Sequence, residues 1–107
     1  MSRSTFTGSG KYSGHWTGDN ESSFVALRNS VNSILLFNIF AVPFVGADIC
    51  GNKADSLPVL CSQWYKLAVV YPFARNHNEL TSLPQEPFID RFNITMDSAR
   101  NITAQDI

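Results

Sequence analysis

Charge is scarce in this chain: only 16% of its 107 residues are Asp, Glu, Lys or Arg, and they nearly cancel to a net charge of −1. There is no basic stripe to follow a nucleic-acid backbone and no polybasic patch to hold a membrane surface, so no nucleic-acid partner is expected. Long apolar runs are also missing. The longest, Ile34 to Val45, is broken by Asn38 and Pro43 and is too short to cross a bilayer, so no transmembrane segment is expected. The first residues, Met1-Ser2-Arg3-Ser4-Thr5, contain no apolar signal core. That leaves either a protein kept inside the cell or a chain whose first residue is not the true start of its polypeptide. The two cysteines, Cys50 and Cys61, are too few for a disulfide framework and lack the Cys-x-x-Cys spacing of a metal site. They read either as two buried thiols or as one bridge closing a short loop. No repeat, low-complexity segment, metal motif or cofactor motif is found.

What is present is globular. With 44% hydrophobic residues the chain can bury one small core, and one domain is the ceiling. Ser2 to Phe6 reads as the end of a strand, and Thr7 to Gly18, with four glycines, as a loop. Glu21-Ser22-Ser23 offers a serine cap to a helix whose apolar stripe is Phe24, Leu27, Val31 and Ile34/Leu35; that stripe is expected to be core. Phe40 to Val45 reads as a short buried strand, with Gly46-Ala47-Asp48 opening the following loop. A second helix is expected from Ser56-Leu57-Pro58, since proline is tolerated in a first turn. Its buried face is Leu57, Leu60, Trp64, Leu67 and Ala68, and Val69 to Phe73 enters another extended segment. Strand, helix, strand, helix, strand is the grammar of a parallel α/β structure. Pro84 and Pro87 break the pattern, and Phe88 to Ile107 carries only a weak helical signal over Thr95 to Ala104. The expected division is therefore 1–83 as the folded part and 84–107 as a weakly structured tail.

One stretch, Gly14-His15-Trp16-Thr17-Gly18-Asp19-Asn20, carries chemistry suited to a sugar. A pyranose has an apolar face of C–H bonds to stack on an indole, and a rim of oxygens that need hydrogen bonds and a proton. Trp16 supplies the ring and Asp19 the proton. Taken alone, the pair reads first as a half-buried indole beside a helix-capping carboxylate. The wider text decides otherwise. Ser2-Arg3-Ser4-Thr5-Phe6, Gly8-Ser9-Gly10-Lys11-Tyr12, the Trp16 stretch, Val45-Gly46-Ala47-Asp48-Ile49-Cys50-Gly51 and Tyr71-Pro72-Phe73-Ala74-Arg75-Asn76-His77-Asn78 follow one another in an order and spacing that closely resemble glycoside hydrolase family 31. This is the family of α-glucosidases of the maltase, sucrase-isomaltase and lysosomal type, and the match needs no gaps from Ser2 to about Asn78.

The resemblance implies a partial (β/α)₈ barrel, about its last three strands and the helices between them. In such barrels the chemistry sits on loops at the C-terminal strand ends, where Asp19, Asp48 and His77 are expected to fall. It implies that Asp19 is the general acid/base of a retaining α-glucosidase acting on malto- or isomalto-oligosaccharides. Such an acid needs a partly apolar setting, here Trp16, to hold its proton. Arg3 and His77 match residues that bind the sugar hydroxyls, Trp16 matches a wall of the same subsite, and Asp48 and Arg75 match residues that hold the loops. Cys50 and Cys61 match a disulfide pair. A secretory or lysosomal setting follows, with which the sequons at Asn20, Asn93 and Asn101 agree; Asn20, beside Asp19, is expected to be too enclosed for a glycan.

Departures matter as well. A retaining glycosidase needs a second carboxylate about 5–5.5 Å from the first, and no segment here matches the family's nucleophile; Asp48, Asp55 and Asp90 are candidates on paper only. Asn52 stands where an aromatic residue usually lines the sugar pocket, and Gln63 where an Arg is common. The expected protein is thus a fragment carrying the acid/base half of the site, with the rest of the barrel missing and no activity alone. Two alternatives are a non-catalytic sugar-binding remnant and a small α/β domain with an unrelated structural role.

Overall fold

A computed structural model describes residues 1–88 of the chain. After a single 3₁₀ turn at Ser9–Lys11, the elements are β1 (His15–Trp16), α1 (Phe24–Ile39), β2 (Val45–Gly46), β3 (Asp48–Ile49), α2 (Pro58–Ala68) and β4 (Arg75–Asn76). Every pairing is parallel. Ser2 bridges His15, β1 runs beside β2 with His15 opposite Val45 and Trp16 opposite Gly46, and β3 runs beside β4 with Asp48 opposite Arg75 and Ile49 opposite Asn76. The amide of Phe73 donates to the carbonyl of Val45, which carries the lead-in to β4 alongside β2. Only Ala47 separates β2 from β3, so these two pairings sit on one extended stretch. Parallel neighbours need long crossovers, and α1 and α2 are those crossovers.

Side chains alternate across a strand, and here the alternation sorts core from site. Val45, Ala47 and Ile49 face the helices and pack with Leu60, Cys61, Trp64 and Ala68 of α2 and Ile34 of α1. Gly46 and Asp48, between them, face the other way. So do their partners across the ladder, Trp16 and Arg75. Gly46 is required by that geometry, because a Cβ there would sit 1.8 Å from the Phe73 carbonyl oxygen. Between the helices, Trp64 Nε1 donates to the Tyr71 hydroxyl at 3.1 Å, and the same hydroxyl shares a short hydrogen bond with Ser30 Oγ. Burial pushes the Tyr71 phenol upward, with both hydrogen bonds acting against it.

Both helix starts are local chemistry. Ser23 caps α1, its side chain accepting from the Ala26 amide at 3.1 Å, and Pro58 opens α2 in its first turn. The expected bridge is present between Cys50 and Cys61, tying the end of β3 to α2.

Several expectations are corrected. The strand placed over Phe40 to Val45 starts only at Val45 and continues through the segment read as a loop, so Asp48 lies in β3. Ladder partners on β1 and β4, which a single sequence cannot reveal, determine those limits. The stripe of α1 is core on one side only: Ile34 is buried and Leu27 partly so, whereas Phe24, Val31 and Leu35 are exposed. Apolar residues surround most of α1, and a helix touching one sheet can bury only one face. On α2, Leu57 is exposed, and Val69-Val70 form a turn instead of a strand. The packed body also takes in Gln85, which is 1% exposed. The helical signal over 95–104 and the sequons at Asn93 and Asn101 lie outside the described residues.

Candidate active site

Arg75 is the centre of the face opposite the helices. Its Nε donates to Asp48 Oδ1 at 2.9 Å and its Nη2 to the same oxygen at 2.6 Å. Its guanidinium carbon lies 5.4 Å from the centroid of the Trp16 ring and 5.9 Å from that of Phe73, a cation between two aromatic faces. This arrangement follows from register: Asp48 faces Arg75, and Trp16 stands one strand over. Asp48 is fully buried, and its second oxygen, Oδ2, has no partner among the described residues. Burial raises its pKa, the Arg75 hydrogen bonds and charge and the charge of His77 lower it, and Asp19 raises it; the net direction is upward.

The loops after the strands bring the remaining candidates together. Gly18, at φ +87, turns the chain sharply after β1, and a side chain there would meet Arg3 Cδ at 3.0 Å. Arg3 thus lies across the residue before Asp19. Both Arg3 and Asp19 are exposed, as is His77. One face of the Trp16 ring is occupied by Arg75. The indole Nε1 is buried and unpartnered among the described residues. Asn20 Nδ2 donates to Thr17 Oγ1 at 2.6 Å, so the amide of that sequon is already engaged.

Asn52 is where three loops meet. Its amide donates to the Asn20 carbonyl at 2.7 Å, its carbonyl accepts from the Glu79 amide at 3.0 Å, and its side chain reaches the His77 carbonyl at 3.5 Å. Lys53 adds a second pair of bonds to the β1 loop, its amide donating to Asn20 and its carbonyl accepting from Ser22. The loops bearing Asp19 and His77 are thus laced to the loop after β3. Sequence reasoning singled out Asn52 for a missing ring, whereas the buried amide here serves as a strut.

Two residues were not anticipated. Gln85, buried, and Asn76, half-buried, form an amide pair, Gln85 Nε2 donating to Asn76 Oδ1 at 2.8 Å and Asn76 Nδ2 donating to the Gln85 carbonyl at 2.8 Å. Asn76 also donates to the Tyr65 hydroxyl, a phenol that burial pushes up to about 12. Only the location of a polar residue between two prolines, Pro84 and Pro87, hinted at Gln85. Among the described residues no group of three or more His, Cys, Asp or Glu is arranged to hold a metal ion, and no helix is long and apolar enough to cross a membrane.

The family model described as "Glycosyl hydrolases family 31 TIM-barrel domain" matches residues 1–104. The lysosomal alpha-glucosidase of Mus musculus is 54% identical over 99 residues, covering 92% of this chain and 10% of that protein. The alpha-glucosidase of Aspergillus niger is 48% identical over 88 residues (82% of this chain, 9% of that protein), and alpha-xylosidase 1 of Arabidopsis thaliana is 45% identical over 101 residues (94% and 11%). Among solved structures, the family 31 alpha-glucosidase of Bacteroides thetaiotaomicron superposes with a TM-score of 0.84 at 34% identity, covering 92% of this chain and 17% of that one. The ER glucosidase II complex superposes at 0.79 with 30% identity, covering 88% of this chain and 11% of the other. The chain spans about a tenth of the length of the curated relatives it matches.

Proposed function

Because the chain belongs to glycosyl hydrolase family 31, we propose that it forms the acid/base part of a retaining α-glucosidase that removes terminal glucose from malto- or isomalto-oligosaccharides. In this reading its strands are late strands of the (β/α)₈ barrel. Asp19 protonates the departing glycosidic oxygen and then takes a proton from the water that completes hydrolysis. Arg3 and His77 hydrogen-bond the hydroxyls of the glucose, and Trp16 walls the same subsite. Asp48 and Arg75 do not touch sugar: they fix the indole and the two strands that carry the loops. The nucleophilic carboxylate comes from outside this chain. The Cys50–Cys61 bridge and the lysosomal relatives support an oxidising, secretory-pathway location.

The observation that carries this reading is the convergence of the loops after β1 and β4. Asn52 joins the loops that bear Asp19 and His77, its amide donating to the Asn20 carbonyl at 2.7 Å and its side chain to the His77 carbonyl at 3.5 Å, and both loops follow parallel strands, which is where a barrel of this kind keeps its chemistry. The test is a chimera of the mouse lysosomal α-glucosidase in which the matching stretch is replaced by this chain. The chimera is expected to hydrolyse maltose. Asp19→Asn is expected to lower kcat by about 10²–10⁴-fold and to remove the alkaline limb of its pH profile. Full turnover by Asp19→Asn would refute the assignment. An inactive chimera that still binds maltose would favour the non-catalytic sugar-binding reading, which the amide at Asn52 supports.

A further inference from the structure

Gln85 lies in no helix or strand, yet its side chain is almost wholly enclosed. Its Nε2 is 3.1 Å from the Ile49 carbonyl, 2.9 Å from the Gly51 carbonyl and 2.8 Å from Asn76 Oδ1. The first two oxygens flank Cys50 at the point where β3 leaves its ladder. Cys50 (φ 72) and Gly51 (φ 84) are both left-handed, which turns their neighbouring carbonyls away from strand partners. Buried carbonyls need donors, and the two N–H bonds of one amide are shared among these carbonyls and Asn76 Oδ1. Its orientation is determined: a flipped amide would set its own oxygen against three others, while Oε1 as it stands is buried with no partner among the described residues.

The third acceptor matters most. Asn76 lies between Arg75, which Asp48 holds, and His77. We propose that Gln85 is a positioning residue for the sugar site: it clamps the ends of β3 and β4 together and thereby sets where His77 stands relative to Asp48 and Asp19. This inference rests on the proposed function for what the site binds. Gln85 acts through Asn76 and Gly51 and does not touch substrate. The clamp spans 9 positions to Asn76 and 34 to Gly51, so it forms only when residues beyond β4 fold back over the strand ends.

Two measurements test the clamp. Hydrogen exchange on the full chain compares the native sequence with Gln85→Met, which keeps the length of the side chain and removes its donors. Exchange is expected to quicken about 10-fold or more at the amides of Asn52, Lys53 and Glu79, with α1 unchanged, since local opening precedes global unfolding. A uniform rise across the chain, or none, would overturn the proposal. In the active chimera, Gln85→Met is expected to lower kcat by about 10- to 100-fold with KM changed much less, the signature of a misplaced catalytic constellation. Gln85→Glu should recover part of that loss toward acid pH, because a neutral carboxyl donates one hydrogen bond and an ionised one donates none. Unchanged kcat in both variants would overturn the proposal. A chimera inactive with Gln85 in place would refute the proposed function and leave the exchange result to decide the clamp.

Discussion

Among the described residues, Arg75 gives two hydrogen bonds to one oxygen of Asp48 and the other oxygen is buried without a partner. The pair therefore compensates burial only in part, and the Asp48 carboxyl stays above its ordinary value of 3.8. An acid whose native pKa is raised holds its proton longer in the folded state than in the unfolded one. Its contribution favours folding at acid pH and declines as pH rises from 3.8 through the native value. Arg75→Ala removes the strongest lowering influences and widens that window. The variant is expected to lose about 3 kcal/mol near pH 7, where a buried charge is left unpaired, and clearly less near pH 4. Urea unfolding of dilute chain, followed by tryptophan fluorescence at both pH values, checks this; equal losses would refute it.

His15 has the opposite sign. It is buried and stacked on Phe37 with ring centroids 3.8 Å apart, and burial lowers its pKa below 6.5. The unfolded chain then takes up a proton before the folded one does. Stability is fully present above pH 6.5 and is lost as pH falls from 6.5 through the lowered native value. His15→Phe keeps the stack and removes the titration. The stability difference between the two chains is expected to grow as pH drops below 6.5 and to be flat above it, measured by the same unfolding assay.

Gly46→Ala probes the close approach of β2 to the segment leading into β4. A Cβ 1.8 Å from a backbone oxygen cannot be absorbed by a side-chain rotation, so the strands must part. The expected cost is about 3 kcal/mol, at the upper end for overpacking. The Phe73–Val45 hydrogen bond should open with it, seen as faster exchange of the Phe73 amide. A cost under about 1 kcal/mol would show that the backbone yields easily.

The outer face of α1 is apolar and bare: Leu35 is 60% exposed and Ile39 78%. Patches of this kind drive association. The chain by itself is expected to form oligomers at micromolar concentration in sedimentation experiments. Leu35→Glu combined with Ile39→Lys should return it to a monomer. A monomeric native chain at the same concentration would contradict this.

The parts of the fold that were legible in sequence are those decided within a few residues. Ser23 caps α1 and Pro58 opens α2 because cap and first-turn chemistry act over three or four positions. The strand limits are not legible in sequence because each strand is two residues long and exists only through its partners. The inner and outer sides of α1 were not separable, since apolar residues occupy both and only the sheet chooses between them. Trp16, Arg75 and Asp48 were legible as motifs, but their stacking depends on register across three strands. The role of Gln85 is barely hinted at by its place between two prolines, because its acceptors lie up to 36 positions away.

Surface loops ordinarily tolerate insertions and deletions well. The segment from Cys50 to Ala54 should not. Its main chain is bonded at Asn52 and Lys53 to the loop after β1 and at Asn52 to Glu79, while Cys50 is bolted to α2. One residue added or removed there would put every later bond out of step, so length at this point is expected to be under tighter selection than the identity of most side chains around it.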